Sequence, residues 1–154
     1  MEYLIIKWLH VLSSTILFGT GIGSAYYLLV ATLNRDPRAV HVVARYVVIA
    51  DWIFTTPAIV FQPLSGYYLA HLAGIPYSTR WIVWSLFLYL LATICWLPVL
   101  WLQLRMRDLA RMATEQRLAL PLLYWRYFAI WVALGVPAFL ALVGAFYLMV
   151  VKTT

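Results

Sequence analysis

The chain has 154 residues, of which 66% are apolar or aromatic and only 10% are charged. A soluble domain carries about a quarter charged residues, so a surface that faces water over most of its area is excluded. The net charge of +6 comes from arginines and lysines between apolar segments. This distribution is typical of membrane proteins and does not indicate nucleic-acid binding.

Four long apolar segments follow in chain order, and each can cross roughly 30 Å of hydrocarbon at about 20 residues per crossing. They are predicted at residues 5–33, 40–72, 81–104 and 127–151. The segments are continuously apolar and do not alternate with period two, which favours helices over barrel strands. The sequence therefore predicts an all-α membrane protein, an antiparallel four-transmembrane-helix bundle that forms a single domain over residues 1–154.

The basic residues predict how the chain is oriented. The first and third loops, with the helix ends beside them, carry Arg35, Arg38, Arg45, Arg105, Arg107, Arg111, Arg117 and Arg126. The opposite side carries only Lys7, Arg80 and Lys152. Because arginine and lysine accumulate on the cytoplasmic side, we expect both termini on the outer side of a bacterial inner membrane. Residues 105–112 are expected to continue the third helix beyond the membrane.

The first segment carries His10 near its outer end, on one helical stripe with Ser14 and Gly21. The small residues of this stripe allow close helix packing or leave room for a flat ligand beside the imidazole. His10 itself is either a solvated interfacial residue or a ligand, with Ser14 as an acceptor for its ring nitrogen. His71, at the end of the second segment, is expected at the same membrane face, and His41 at the opposite one.

The second segment is the most polar. Asp51, Thr55 and Gln62 fall on one helical face, which Pro57 and Pro63 interrupt. A carboxylate in hydrocarbon is costly, so Asp51 is expected to face the bundle and to meet a hydrogen-bond donor. Its role is either that of a buried structural carboxylate or that of a group that handles protons or the polar part of a ligand.

The third and fourth segments contribute aromatic stripes. Tyr89, Thr93 and Trp96 share one helical face, and Trp131 and Gly135 share another. Aromatic residues at helical spacing usually pack against neighbouring helices. They are also compatible with a planar apolar cofactor or a quinone ring.

Several runs of residues resemble a family of predicted bacterial integral membrane proteins of unknown function. They are Lys-Trp-Leu-His-Val-Leu at 7–12 with Phe-Gly-Thr-Gly at 18–21, Ala-Asp-Trp-Ile-Phe-Thr-Thr-Pro at 50–57 with Gln-Pro-Leu-Ser-Gly at 62–66, and the run from Cys95 to Gln103. The likeness covers nearly the whole chain. It implies the fold and the membrane location, and little about activity.

The opening Lys-Trp-Leu-His run is also distantly similar to the first span of HemJ-type protoporphyrinogen oxidases and of CopD-type membrane proteins. HemJ proteins are four-span haem b proteins, and the likeness implies that His10 is a haem ligand. Early in the third span HemJ proteins carry a functional lysine, where this chain has Ser85. That departure argues against the same oxidase chemistry and leaves haem binding as an expectation.

We therefore expect a haem b-binding protein of the inner membrane that acts as a quinone-linked redox protein, and any enzymatic activity would be that of a membrane oxidoreductase. The residues expected at the cofactor are His10, Ser14, Gly21 and His71, with His10 and His71 as metal ligands. The residues expected to handle protons are Asp51, Thr55 and Gln62. Two alternatives stay open, a non-enzymatic assembly or binding subunit without a cofactor and a small transporter formed by a homo-oligomer.

Overall fold

The computed structural model describes residues 1–152, which form helices joined by short loops. The helices are α1 (Glu2–Leu33), α2 (Pro37–Ala50), a π-helical segment (Asp51–Thr55), α3 (Thr56–Leu72), α4 (Arg80–Gln116) and α5 (Leu122–Val151). Because α2, the π-helical segment and α3 are continuous, the described residues contain four helices long and apolar enough to cross a membrane. The predicted four-helix membrane fold is confirmed, and residues 153 and 154 of the predicted domain lie outside the described residues.

Local sequence explains where the helices begin and end. The Asp36 carboxylate accepts a 3.0 Å hydrogen bond from the backbone N–H of Arg38, and Pro37 occupies the first turn of α2. Residues 105–112 continue α4 as predicted, and the helix ends at Gln116 because Arg117 adopts the left-handed conformation, with φ of 55°.

The two ends of the bundle differ in chemistry. At one end Tyr68 of α3 donates a hydrogen bond to Glu2 of α1, and the Lys152 ammonium lies 5.8 Å from the ring centroid of Trp81. We call this the terminal end, because both described chain ends lie there. The other end carries the loops at 34–36 and 117–121, and we call it the arginine-rich end.

The apolar core is concentrated in the half of the bundle nearest the arginine-rich end. Its buried members are Leu28, Ala31, Val40, Ala44, Val47, Val99, Leu102, Met106, Ala110, Leu120, Tyr124 and Trp131. All four spans contribute to this cluster. The bundle is therefore solidly packed in this half.

In the half nearest the terminal end the spans form two pairs. The backbone of α1 lies close to that of α3, and the backbone of α4 lies close to that of α5. Within residues 1–152, close backbone contacts between α1 and α5, or between α3 and α4, are few or none. Side chains bridge the two pairs: the Tyr89 hydroxyl donates to the carbonyl of Ile59, and the Phe18 ring stacks on Phe139 with centroids 5.5 Å apart.

The π-helical segment is where the second span changes neighbours. Pro57 has no N–H, and a proline ring clashes with the carbonyl four residues earlier, here that of Ile53. An extra residue relieves this conflict, since the backbone N–H of Thr56 bonds to the carbonyl of Asp51, five residues earlier. Before this turn α2 lies against α1 and α4, whereas beyond it α3 lies against α1. The prolines predicted a disturbance of this helix but not the π turn.

Candidate functional site

A cavity of about 460 Å³ lies between the two helix pairs. Ligand sites for small molecules have volumes of roughly 300–1,000 Å³, so the cavity is large enough for one. Its wall is mostly apolar and rich in rings, which belong to Phe18, Tyr26, Tyr89, Trp96, Trp131 and Phe139. Three of these six rings, Tyr89, Trp96 and Trp131, belong to the stripes predicted on the third and fourth segments. The cavity is therefore suited to an apolar, ring-containing molecule.

A small polar group interrupts this apolar wall. Asp51 and Thr55 are 2% and 3% exposed, and the Thr55 hydroxyl donates a 2.8 Å hydrogen bond to Oδ1 of Asp51. Gln103 of α4 lies beside the same carboxylate. The predicted hydrogen-bond donor to Asp51 is thus confirmed, and it is Thr55. Neither of the ion pairs found within the described residues involves Asp51.

Two polar atoms on the cavity wall are buried and have no hydrogen-bond partner among the described residues. They are the acceptor Oε1 of Gln103 and the donor Nε1–H of Trp131. Leaving a buried polar group unpaired costs about 1–3 kcal/mol, so such groups are rare in folded proteins. The hydroxyls of Ser13 and Ser85 are also unpaired but do not line the cavity. Gln103 and Trp131 therefore mark where the polar atoms of a ligand would be satisfied.

The cavity opens sideways, toward lipid. Its exposed lining residues are Gly21, Ile22, Tyr26, Leu29, Val132, Val136 and Phe139. All of them belong to α1 or α5, whereas the lining residues of the π-helical segment, α3 and α4 are buried or half-buried. Tyr26 and Val136, one on each of these helices, are 60% and 53% exposed. The entrance therefore lies between α1 and α5, where these helices make little backbone contact.

Glycines provide part of this space. Gly21 of α1 and Gly135 of α5 line the cavity, and a Cβ added to either would meet no atom within 4 Å. Larger side chains at these positions would project into open space. Of the two alternatives for the small residues of the first segment, the surroundings of Gly21 agree with room for a ligand. Gly21 does not pack closely against another described helix.

His10 lies outside the cavity, in the contact between α1 and α3. Its Nδ1 is 2.7 Å from Oγ of Ser65. Since the Ser65 hydroxyl donates to the carbonyl of Phe61 at 2.7 Å, its oxygen accepts from the imidazole, which places the ring proton on Nδ1. Gln62 binds at the same place, because its Nε2 donates to the backbone carbonyl of His10 at 3.0 Å. The imidazole and the amide thus hold α1 against α3.

The remaining predicted residues are dispersed. Ser14 does not contact the imidazole, because its hydroxyl donates to the carbonyl of Val11 at 2.7 Å. His71 is exposed at the end of α3. Among the residues that the structure describes, no group of three or more His, Cys, Asp or Glu side chains could hold a metal ion. Of the seven site residues predicted, Asp51, Thr55 and Gly21 line the cavity, and His10, Ser14, Gln62 and His71 do not.

Gln103 is the main residue that sequence reasoning missed. It lies near the predicted inner end of the third span, where a polar residue is common and does not by itself indicate a site. Its spacing of seven residues from Trp96, two helical turns, places both on one face of α4 and would have identified it.

Over residues 4–153 the sequence matches the family described as "Predicted integral membrane protein (DUF2269)". The chain belongs to this family. The description agrees with the four spans and establishes that the protein is embedded in a membrane, and it names no ligand or activity. No curated protein and no solved structure matches the chain. The more distant resemblance to HemJ- and CopD-type proteins stays a prediction.

Proposed function

We propose that this protein binds a lipid-soluble small molecule with a polar head group, which enters from the bilayer between α1 and α5. The observation that carries the proposal is that an unpaired acceptor on Gln103 and an unpaired donor on Trp131 line the same apolar cavity. A head group with one donor and one acceptor would pair with both. The apolar body would remain against the rings of the wall.

The cavity favours an elongated molecule. Tyr89 and Gln103 both line it and are separated by 14 positions on α4. At 1.5 Å per residue this corresponds to about 21 Å along the helix axis. The polar side chains Asp51, Thr55 and Gln103 lie toward the arginine-rich end of this cavity. A bound molecule would therefore place its head near Asp51 and its apolar part toward the terminal end.

The packing of the bundle favours binding over passage through the protein. The apolar core lies in the half nearest the arginine-rich end, where buried side chains of all four spans pack together. The binding-subunit alternative therefore has more support than a transporter.

Haem b with a histidine ligand does not fit this cavity. Neither His10 nor His71 lines it, and the Nδ1 of His10 bonds to Ser65 in the contact between α1 and α3. A quinone ring agrees better with the wall, since one of its carbonyls would accept from Nε1–H of Trp131. Reduction to the quinol would also supply a donor for Gln103. The quinone part of the redox prediction therefore remains within the proposal.

The location that we propose is a bacterial inner membrane, with the arginine-rich end in the cytoplasm. The support is the distribution of basic residues, eight against three between the two sides. Both chain termini would then lie outside the cytoplasm.

The proposal is tested by binding of triphenylmethanol, a neutral molecule with three rings and one hydroxyl, to the protein in lipid nanodiscs. We expect saturable binding above partition into empty nanodiscs. Gly21→Leu should weaken it by about tenfold or more, because the new side chain fills the slot. Gly19→Leu is the matched control, since Gly19 is on the same helix, has equally open surroundings and does not line the cavity. Equal binding by both variants, or no saturable binding of any probe, would contradict the proposal.

A further inference from the structure

The cavity contains one acidic side chain and no basic one. Asp51 is the acid, and among the described residues no Lys, Arg or His lines the cavity. Tyr26 and Tyr89 are the other titratable side chains on the wall. A carboxylate in apolar surroundings is unfavourable unless a positive group pairs with it. The described residues supply no such group at the cavity, so a positively charged ligand would be the missing partner.

The polar atoms around Asp51 are arranged for the same kind of head group. Oδ1 of Asp51 accepts from Thr55, and the amide of Gln103 lies beside the same carboxylate. Oε1 of Gln103, which lies beside this carboxylate, is an acceptor without a donor. An ammonium group would bring N–H donors to Oε1 of Gln103 and to the carboxylate, which can accept about four hydrogen bonds. An acceptor without a donor favours an ammonium head group, which donates hydrogen bonds, over a carbonyl group, which can only accept them.

The aromatic wall strengthens this preference. Ring faces attract organic cations, most strongly those of tryptophan, and the attraction increases where water is excluded. Trp96, Trp131 and Tyr89 line the cavity together with the carboxylate of Asp51. An acceptor elsewhere in the ligand would meet Nε1–H of Trp131.

We propose that the ligand of this cavity is a lipophilic cation, an organic amine or onium whose charged head pairs with Asp51 and whose apolar body lies against the aromatic wall. This inference rests on the proposed function and specifies its ligand class. It also gives Asp51 a second task, because the same carboxylate can hold either a proton or the cation.

Binding of the cation exchanges it for the proton of the Asp51 carboxyl group. Without a ligand the carboxyl group is least costly in its neutral form, since no described basic side chain pairs with it. The cation enters, the carboxyl O–H bond breaks, the carboxylate pairs with the cation, and one proton leaves to water. No electron is transferred. Cation affinity should therefore rise with pH, by up to about tenfold per pH unit while the carboxyl group is protonated.

Three probes of similar shape separate the outcomes: tetraphenylphosphonium, neutral triphenylmethanol and anionic tetraphenylborate. Binding is measured by equilibrium dialysis against protein in nanodiscs of neutral lipid, with empty nanodiscs as background. We expect tetraphenylphosphonium to bind at least about tenfold more tightly than triphenylmethanol, and tetraphenylborate not to bind saturably. Each bound cation should release one proton into weakly buffered solution below the pH at which the affinity levels off.

Asp51→Asn tests the assigned residue. The variant should lose about tenfold or more in tetraphenylphosphonium affinity, together with its pH dependence, and should lose much less in triphenylmethanol affinity. The last measurement also shows that the cavity still forms. Asp108→Asn is the control, because Asp108 is an acid of α4 that pairs with Arg107 outside the cavity.

The two proposals fail in different ways. Triphenylmethanol that binds as tightly as tetraphenylphosphonium, with no effect of Asp51→Asn on either probe, would overturn the cation assignment and leave the ligand-binding function standing. The same holds if a quinone binds and the cation does not. Absence of saturable binding for all probes would overturn both.

Discussion

The Tyr124 hydroxyl lies 2.7 Å from the Thr32 hydroxyl, and both side chains are fully buried. Because the Thr32 hydroxyl gives its own hydrogen to the carbonyl of Leu28 at 2.8 Å, Tyr124 is the donor in this pair. The bond joins α1 to α5 near the arginine-rich end. These are the same two helices that separate at the cavity entrance, so the pair fixes them on one side of the opening.

This assignment predicts unequal costs for removing the two hydroxyls. Tyr124→Phe deletes the donor and leaves Thr32 bonded to Leu28, so it should destabilise the fold by about 1 kcal/mol. Thr32→Val leaves the Tyr124 hydroxyl buried without a partner and should cost more, about 1–3 kcal/mol. Reversible unfolding in mixed micelles would measure the difference. A larger cost for Tyr124→Phe would mean that the donor has been assigned wrongly.

The distribution of arginine predicts the topology. Reporter fusions after Asn34 and Glu115, at the arginine-rich end, should give cytoplasmic signals. Fusions after Gly74 and Thr154 should report the outside. The opposite set of signals would place the arginine-rich end outside and would reverse the orientation.

Replacement of His10 has different expected effects under the haem prediction and under the cavity proposal. The resemblance to HemJ predicts a Soret band in the purified protein that His10→Ala removes. The structure predicts that His10→Ala weakens the contact between α1 and α3, by about 1 kcal/mol for the lost bond to Ser65, and leaves triphenylmethanol binding intact. His41→Ala, at the opposite end of the bundle, serves as the control for both measurements. Loss of probe binding in His10→Ala without unfolding would contradict the proposed site.

The spans, and the pairing of Asp51 with Thr55, could be predicted because they depend on distances along one helix. Apolar length gave the four crossings, and the four-residue spacing placed the Thr55 hydroxyl beside the carboxylate. The stripe on the third segment also grouped Tyr89, Thr93 and Trp96, which all line the cavity. These features require no knowledge of which helices are neighbours.

The partners of His10 could not be predicted in the same way. Ser14 lies one turn away on the same helix and was the natural choice, whereas the observed partner is Ser65 of α3. That contact depends on how α3 turns toward α1 beyond the π-helical segment. The expectation that Gln62 shares a face with Asp51 depends in the same way on one continuous helix through the second span, whereas Gln62 bonds to the backbone carbonyl of His10.

Gln103→Leu should distinguish recognition of the head group from general apolar binding. The change removes an unsatisfied buried acceptor but also the amide donor beside Asp51, and because these effects oppose each other the free energy of unfolding should change by no more than about 1 kcal/mol. Binding of a lipophilic secondary amine should weaken by about tenfold, because its N–H loses an acceptor. Tetraphenylphosphonium has no N–H and should be affected much less. Equal losses for both probes would show that Gln103 acts through packing.

The π turn also changes how substitutions in the second span should be interpreted. One added residue shifts the phase of the helix by about 100°, so a helical wheel drawn through the whole of Pro37–Leu72 superimposes two different faces. Positions before Asp51 and positions after Thr55 need separate wheels. Deleting Ile53, an exposed residue inside the turn, would merge the two phases into one. The part of the span beyond Thr55 would keep its orientation, so Ser65 and Gln62 would still face α1, whereas the ring of Pro57 would again meet the carbonyl four residues before it.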